Sequence, residues 1–240
     1  METSVRNDLQ EYYNEHYNDM PSRWRKLGAI EKYNNIITLT GDQSFEKVVE
    51  VGAGDGSILE LLNNNNNFSS LYALEISDSG IELIKKRKLK KLQEAINYDG
   101  YKTPYPDNYF DLAILSHVLE HVEFPRKLLR ELKRISKMHI IEVPREYHHN
   151  IDININHYLS YGHISVYTPS LLRFLLKSEG FEIMSERKAF YSKEILSFHS
   201  KTFMEMLKVN IFIIIRNIAF RILPMWRTDT MINSYTVFSK

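Results

Sequence analysis

Hydrophobic and polar residues follow two alternating periods along most of the chain. Short runs of aliphatic and β-branched residues, typical of buried strands, alternate with segments in which apolar residues recur every three or four positions, typical of helices. The predicted strands are 46–51, 70–75, 93–98, 109–115, 138–143, 181–189 and 232–239. The predicted helical segments are 4–18, 22–39, 56–62, 78–90, 124–136, 168–180 and 194–222. Strands that alternate with helices indicate βαβ units and a parallel sheet, so the predicted fold class is α/β.

The composition fits one globular domain and excludes several kinds of chemistry. The chain has 240 residues, 43% of them hydrophobic, and a formal net charge of +1, which gives no overall attraction to nucleic acid or membranes. It contains no cysteine, which excludes disulfides, thiolate zinc sites and a cysteine nucleophile. The polar N-terminal segment does not resemble a signal peptide, and we expect a cytoplasmic protein.

Two segments bear on macromolecular partners. The basic run 85–91 falls at the end of a predicted helix, where cations suit the helix dipole, so we expect no nucleic-acid binding. The segment 207–223 has no unbroken apolar run longer than five residues, whereas a membrane span needs ~20 predominantly apolar residues. We therefore expect no span. The segment suits a core or subunit-contact helix, with a peripheral membrane-surface anchor as the alternative, and the oligomeric state stays open.

Three glycines, Gly52, Gly54 and Gly56, follow the first predicted strand in "VGAGDG". Glycines between a strand and a helix let the backbone approach a ligand closely, and ligands of open parallel sheets bind at such strand ends. A dinucleotide site has the spacing G-x-G-x-x-G, but here the third glycine comes one residue early. Asp55 in the turn would repel a phosphate, and Glu50 adds another carboxylate. The expected ligand therefore lacks phosphates and carries positive charge.

Two further carboxylates follow the next two strands. Glu75 ends the second strand, at about the 20-residue distance where an acid can accept hydrogen bonds from ribose hydroxyls. Asp99 ends the third strand, where a carboxylate can accept hydrogen bonds from an adenine amino group. A glycine loop, a ribose acid and an adenine acid at three successive strand ends predict a nucleoside pocket.

Residues 47–143 resemble the core of class I S-adenosylmethionine-dependent methyltransferases. "VVEVGAGDGSIL" is similar to their first motif, "LEIS" to the ribose-binding strand end, "FDLAILSHVLEHVEFPRKLLREL" to the fourth strand with its helix, and "IIEVP" to the fifth strand. "RWRKLGA" and "GHISVYTPSLLRFLLKSEGFEI" resemble a small-molecule subgroup often associated with bacterial surface-glycan (capsule or lipopolysaccharide) biosynthesis. The resemblance implies one methyltransferase domain, 1–240, with a Rossmann-like doubly wound seven-stranded sheet in the order 3-2-1-4-5-7-6 and an antiparallel last strand.

The resemblance also implies S-adenosylmethionine as the cofactor, with S-adenosylhomocysteine as its product. Residues 1–40 are expected to form a helical lid, with Tyr17 or Trp24 facing the methionine end. The alternative is ordinary packing of these aromatic residues on the core. The expected cofactor-binding residues are Glu50, Gly52, Ala53, Gly54, Glu75, Ile76, Asp99, Gly100, Ser116, Tyr17 and Trp24.

Methyl transfer from a sulfonium to a hydroxyl or amine needs alignment and a group that removes a proton. His117 directly follows the fourth strand and is the first candidate for this catalytic base. The alternative is that His117 only packs against the cofactor. His163, in the loop 145–168, and Glu142, in the fifth strand, are the other catalytic candidates.

The candidate substrate contacts are Arg145, which suits an anion, together with His121 and His148. The alternative for Arg145 is a surface salt bridge. His121 lies four residues after His117, on the same face if the segment is helical; the alternative is a hydrogen-bonded support residue. The loop 145–168 holds four histidines, but their spacing matches no standard metal site, so we expect a substrate-shaping loop and no metal. A helical insertion, 194–223, is expected before the last strand.

The leading hypothesis is an enzyme that transfers a methyl group from S-adenosylmethionine to an oxygen or nitrogen of a small polar metabolite. The resemblance favours a sugar or a phosphorylated precursor of a bacterial surface glycan. One alternative is an NAD-type nucleotide-binding oxidoreductase, against which the position of the third glycine counts. The other alternative is a non-catalytic partner that retains the fold.

Overall fold

The computed structural model describes residues 22–146, 155–156, 162–198, 200–223, 229 and 231–240. The strands are β1 Phe45–Val51, β2 Phe68–Glu75, β3 Leu92–Asn97, β4 Phe110–Ser116, β5 Ser136–Pro144, β6 Ile183–Ala189 and β7 Ser234–Ser239. The helices are α1 Ser22–Thr40, α2 Ser57–Asn63, α3 Asp78–Lys86, α4 Pro125–Ile135, α5 Pro169–Ser178, α6 Lys193–Leu196 and α7 Phe203–Ile222. A 3₁₀ turn, Leu119–His121, follows β4.

The seven strands of the described segments form one sheet in the order β3-β2-β1-β4-β5-β7-β6. The strands β1 to β5 pair in parallel, and β7 runs antiparallel to both β5 and β6. This confirms the predicted order 3-2-1-4-5-7-6 with an antiparallel last strand. The chain moves outward in opposite directions from β1 and β4, so these two strands flank the switch point at which open α/β sheets bind ligands.

Each strand contributes side chains to two cores because neighbouring residues point to opposite faces of the sheet. On one face, Val48 of β1 lies in a buried cluster with Ile36 of α1 and Leu59 of α2. On the other face, Val49 lies in a cluster with Leu129 of α4 and Leu172 of α5. Helices therefore cover both faces, which makes the sheet doubly wound.

One predicted helix end differs from the structure, and one predicted helix start agrees with it. The helix predicted over 78–90 ends at Lys86, because Lys88 adopts the left-handed φ of 50° and the chain turns into β3. The start of α5 is as predicted. The Thr168 side chain accepts a hydrogen bond from the Leu171 N–H, and Pro169 is the first helical residue.

The helical segment predicted over 194–222 consists of two helices, α6 and α7. Most large apolar side chains of α7 are exposed, namely Phe203, Met204, Met206, Leu207, Ile211, Phe212, Ile214, Ile215, Ile218 and Ile222. The expectation of a core helix is therefore wrong for α7. The buried Arg216 fastens the helix, since its Nη1 donates to the Tyr191 carbonyl at 3.1 Å and its guanidinium lies over the Phe190 ring.

No helix of the described segments is long and apolar enough to cross a membrane. Several sequence predictions fall outside the described residues. These are the helix 4–18, Tyr17 and His148, together with most of the loop 145–168.

Candidate active site

The glycine loop lies where β1 ends and α2 begins. Gly52, Gly54 and Gly56 have φ angles of 73°, 57° and 76°, which residues with a Cβ rarely adopt. A Cβ on Gly52 would lie 2.5 Å from Cγ2 of Val118, in the turn after β4. The loop after β1 and the turn after β4 thus approach each other at the switch point, and only a glycine at position 52 permits this contact.

Glu50, in β1, is a buried acid at this strand end. Its side chain is 2% exposed, and Oε2 has no hydrogen-bond partner among the described residues. Burial raises the pKa of Glu50 well above its usual value, although the charge of Lys32 opposes the shift. A buried carboxylate with an unused oxygen is suited to a cationic group of a ligand.

Asp55 does not supply the negative charge that the sequence suggests. Its carboxylate is 3.1 Å from Nε of Arg25 and 3.0 Å from Nη2 of Arg87, and it also accepts a hydrogen bond from the Ser57 N–H. Because two arginines balance its charge, Asp55 stabilises the turn.

Glu75, at the end of β2, ties the glycine loop to the start of α3. It is 4% exposed and accepts hydrogen bonds from the N–H groups of Gly54 (2.7 Å), Ile76 (3.0 Å) and Ser77 (3.0 Å). Burial raises the pKa of Glu75, and the hydrogen bonds oppose this shift. A Cβ at Gly80 would lie 2.8 Å from Cγ of Glu75, so this glycine makes room for the carboxylate.

Asp99 lies two residues past the end of β3. Its side chain is exposed, and Oδ1 accepts hydrogen bonds from the N–H groups of Tyr101 (2.8 Å) and Lys102 (2.6 Å). Gly100 is buried and turns the chain with a φ of 85°. Glu50, Glu75 and Asp99 thus follow the order of the strand ends of β1, β2 and β3, as the sequence predicts, and their cofactor contacts stay a prediction.

The other expected cofactor residues lie around the same edge of the sheet. Ala53 is buried in the loop, and Ile76 is half-buried after β2. Ser116 is buried at the end of β4, with no hydrogen-bond partner for its Oγ among the described residues. Trp24 of α1 packs edge-to-face on Phe198, with ring centroids 5.1 Å apart, and its contact with the cofactor stays a prediction.

His117 and Glu142 form a pair across β4 and β5. His117 adopts a left-handed φ of 57° directly after β4, and its Nε2 is 3.1 Å from Oε1 of Glu142. Glu142 is 1% exposed and its Oε2 accepts hydrogen bonds from Nδ2 of Asn35 (3.1 Å) and Oγ1 of Thr236 (2.8 Å). Burial acts to raise the pKa of Glu142, but the contacts with His117, the charge of Lys32 and the hydrogen bond from Thr236 act against it, and the net pKa is lowered.

A second cluster surrounds Glu120 in the 3₁₀ turn after β4. Nδ1 of His117 and Nε2 of His121 lie 3.7 Å and 3.9 Å from Oε1 of Glu120, so the two histidines share this acid. The rings of His121 and His163 are perpendicular, with centroids 4.6 Å apart. Glu146 lies 2.6 Å from Nδ1 of His163. The structure therefore brings together the three candidates His117, His121 and His163.

Arg145 occupies a different environment from the one expected of a substrate contact. It is buried, its Nε donates to the Asp229 carbonyl at 2.9 Å, and its backbone N–H donates to the Asn233 carbonyl at 2.8 Å. These contacts join the end of β5 to the segment before β7. Arg145 thus stabilises the place where β5 ends and the chain before β7 passes, and a contact with an anionic substrate stays a prediction.

Sequence reasoning missed several side chains of this site. The sequence does contain a signal for a site role of Glu120, since this acid stands between His117 and His121 in "HVLEH" directly after a predicted strand. No sequence signal pointed to Lys32 or Asn35 of α1. Lys32 contributes positive charge to Glu50, Glu120 and Glu142, and Asn35 reaches Glu142 across 107 residues of sequence.

Comparisons with known proteins indicate the family of this chain. The model of a family described as "Methyltransferase domain" matches residues 19–186. A demethylmenaquinone methyltransferase from Thermotoga maritima is 24% identical over 193 residues, which cover 70% of this chain and 80% of that protein. A human mitochondrial tRNA N(3)-cytidine methyltransferase is 26% identical over 121 residues, which cover 47% of this chain and 40% of that protein.

Solved structures share the fold over almost the whole chain. A methyltransferase in a complex with the Haloferax volcanii Trm112 methyltransferase activator has a TM-score of 0.67 and 15% identity, with 98% of each chain covered. Geranyl diphosphate C-methyltransferase from Streptomyces coelicolor, solved with Mg²⁺, geranyl diphosphate and S-adenosylhomocysteine, has a TM-score of 0.67 and 9% identity, with 99% of each chain covered.

The family model spans more than half of the chain, and the chain therefore belongs to the methyltransferase-domain family. It is an S-adenosylmethionine-dependent methyltransferase. The alternatives of an NAD-type oxidoreductase and of a non-catalytic partner are thereby displaced. The residues present fit the cofactor, because Glu50 has a buried unpartnered oxygen and Gly52 leaves space that a Cβ would fill.

Proposed function

We propose that this enzyme transfers the methyl group to an oxygen or nitrogen of a small polar metabolite and that His117 is the catalytic base. The observation that carries the proposal is the 3.1 Å contact between Nε2 of His117 and Glu142, directly after β4 and beside the glycine loop. Bound S-adenosylmethionine supplies an electrophilic methyl group on a sulfonium. The protein then has to align the acceptor and remove its proton.

Glu142 is better suited to position His117 than to act as the base itself. It is buried, and its oxygens accept hydrogen bonds from Asn35, Thr236 and His117. With Nε2 donating to Glu142, Nδ1 of His117 carries the lone pair that can take a proton. The carboxylate would hold the ring and stabilise the imidazolium that forms, the division of labour found in acid–histidine pairs of other enzymes.

The cofactor is held, in this proposal, by groups from three strand ends. Glu50 faces the cationic methionine end, Glu75 the ribose and Asp99 the adenine, with Gly52 and Gly54 allowing close backbone approach. Ala53, Ile76, Gly100 and Ser116 complete the proposed set. Glu75 already accepts three backbone hydrogen bonds, so its role includes shaping the loop that contacts the ribose.

The acceptor class has weaker support than the reaction. A sugar or phosphorylated precursor of a surface glycan is favoured only by the resemblance of residues 23–29 and 162–183 to one subgroup. The relatives named above act on other acceptors according to their names, including a tRNA and a menaquinone precursor. We retain the small polar acceptor because the buried polar groups around His117 favour hydrogen-bonding substrates.

The test of the base is a pair of variants, His117→Ala and His163→Ala, since His163 is the alternative base. Acceptors are first screened among sugars, nucleotide sugars and amines by the release of S-adenosylhomocysteine. A positioned base contributes ~10²–10⁴-fold, so His117→Ala should lower kcat by about that factor while S-adenosylhomocysteine affinity is retained. A loss of no more than a fewfold in His117→Ala would overturn its assignment, and the same result in both variants would leave Glu142 or alignment alone to explain the rate.

A further inference from the structure

The cluster around Glu120 contains one group of side chains with the composition of a metal site. One oxygen of Glu120 and one ring nitrogen each of His121 and His163 all lie within 4.8 Å of one another. Two imidazoles and one carboxylate form a ligand set used by catalytic Zn²⁺ sites, which keep further positions open for water or substrate. The backbone supports this grouping, because the N–H groups of Ile164 and Ser165 donate to the Glu120 carbonyl and hold His163 beside the 3₁₀ turn.

The burial of the Glu120 carboxylate is a second, independent observation that bears on a metal site. This side chain is 1% exposed, and neither oxygen has a hydrogen-bond partner among the described residues. Buried carboxylates in proteins are normally hydrogen-bonded, closely paired or bound to a metal. The nitrogens of His117 and His121 lie 3.7 Å and 3.9 Å from Glu120, beyond hydrogen-bond length, which leaves room for a cation between these groups.

The hydrogen bonds of the two histidines orient them as ligands. Nδ1 of His121 is 3.1 Å from the Gly162 carbonyl, which can only accept, so Nδ1 carries the proton and Nε2 the lone pair. Nδ1 of His163 is 2.6 Å from the Glu146 carboxylate, which gives the same tautomer. Metal-binding histidines typically donate their other ring N–H to a carbonyl or carboxylate in this way.

We propose that Glu120, His121 and His163 bind one divalent transition-metal ion of the Zn²⁺ type, with Gly162 and Glu146 orienting the two imidazoles. This differs from the sequence-based expectation of no metal, which considered the spacing of the loop histidines without Glu120. Ligand atoms around Zn²⁺, with bonds of ~2.0–2.2 Å, lie about 3–3.5 Å apart. The three ligand atoms here lie within 4.8 Å of one another, so side-chain movements that shift these atoms by about 1 Å would bring them to metal-binding distance.

The position of the site suggests how the ion would be used. Nδ1 of His117, the proposed base nitrogen, is 3.7 Å from Oε1 of Glu120. An acceptor hydroxyl bound to the ion would therefore lie beside the base, and coordination would ease the loss of its proton. This use in catalysis rests on the proposed function, whereas the binding of the ion does not.

The experiment is a titration of the chelator-treated full chain with Co²⁺, followed by visible absorption and by displacement with Zn²⁺. We expect one ion per chain in a four- or five-coordinate environment. Glu120→Gln and His163→Gln should weaken binding by more than about 100-fold, and Glu146→Gln by about 10–100-fold, the range for partners that orient ligands. The control is His139→Leu, which removes a buried histidine of β5 that packs on Phe181 outside the cluster.

S-adenosylhomocysteine binding and circular dichroism establish that each variant is folded. Glu146→Gln, on a partly exposed side chain, tests the site even if the change at the buried Glu120 prevents folding. The proposal is overturned if the wild-type chain binds no Co²⁺ or if Glu120→Gln and His163→Gln bind it like the wild type. Neither result depends on methyl transfer, so failure here is distinguishable from failure of His117 as the base.

Discussion

At the scale of single residues, the acidic side chains near the glycine loop have different roles set by their partners. Asp55 is paired with Arg25 and Arg87, whereas Oε2 of Glu50 has no partner among the described residues. Charged groups without a partner are costly to bury, and such a cost is retained where a ligand compensates it. Glu50 is therefore the acid in this loop that most directly indicates a cationic ligand.

Glu50→Gln should weaken cofactor binding without weakening the fold. The substitution removes a buried charge that burial already disfavours, so the Tm should not fall. S-adenosylhomocysteine, which keeps the ammonium group of the cofactor, should bind at least about tenfold more weakly, equivalent to ~1.4 kcal/mol. The measurements are calorimetric titration and thermal unfolding.

Asp55→Asn is the matched control for this prediction. Asp55→Asn breaks two ion pairs and should lower the Tm, whereas Glu50→Gln should not. Unchanged ligand affinity in Glu50→Gln, or a Tm that falls in Glu50→Gln as much as in Asp55→Asn, would contradict the role of Glu50.

The sequence allows some of these residues to be predicted and not others. Glu75 and Asp99 were predictable because parallel strands place their carboxyl ends at one edge, where spacing alone locates the acids. Asn35 was not predictable, since it meets Glu142 only through the packing of α1 against the sheet. Glu120 was within reach of sequence analysis, but the sequence does not show that its carboxylate is buried without a hydrogen-bond partner among the described residues.

At the scale of elements, the strands were predicted well and the surroundings of the helices less so. Buried strands carry continuous runs of aliphatic residues between turn residues, which makes them recognisable in the sequence. The apolar positions of α7 predicted a core or subunit-contact helix. Within the described residues most of its large apolar side chains are exposed and Arg216 is buried, so the core alternative is wrong. Hydrophobic periodicity gives the type of an element and cannot specify which surface covers it.

Gly52→Ala should disrupt the contact between the loop after β1 and the turn after β4. The new Cβ would lie 2.5 Å from Cγ2 of Val118, and the φ of 73° disfavours any side chain. We expect a destabilisation of about 1–3 kcal/mol, as for overpacking and backbone strain, and a marked loss of S-adenosylhomocysteine affinity.

The double variant Gly52→Ala/Val118→Ala separates the two causes. Removal of the Val118 methyl groups relieves the steric contact and should restore part of the lost stability, measured by denaturant unfolding. Val118→Ala alone serves as the reference for the cycle. Strictly additive effects of the two substitutions would contradict the close packing of these two turns.

At the scale of the whole molecule, buried histidines make stability depend on pH. Burial lowers the pKa of His139 to about 4. The unfolded chain, with the ordinary pKa of ~6.5, binds a proton that the folded chain does not bind between these two values. Stability should therefore be complete above about pH 6.5 and should fall as the pH is lowered toward 4, by about 2–3 kcal/mol from this residue.

His139→Leu should flatten this part of the pH profile. Leucine has no titrating group, so the variant should lose less stability than the wild type between pH 6.5 and pH 4.5. The free energy of unfolding, measured by urea denaturation at a series of pH values, gives the comparison. Parallel profiles for the two proteins would contradict the buried, neutral state of His139.

The central claim is that the strand ends of β1, β2 and β3 bind S-adenosylmethionine and not a dinucleotide. Calorimetric titration of the full chain with S-adenosylhomocysteine, and separately with NAD, tests it most directly. The structure predicts saturable binding of one S-adenosylhomocysteine per chain, weakened in Glu50→Gln, and no binding of NAD. The claim would be contradicted by the absence of S-adenosylhomocysteine binding, or by NAD binding with comparable affinity at the same site.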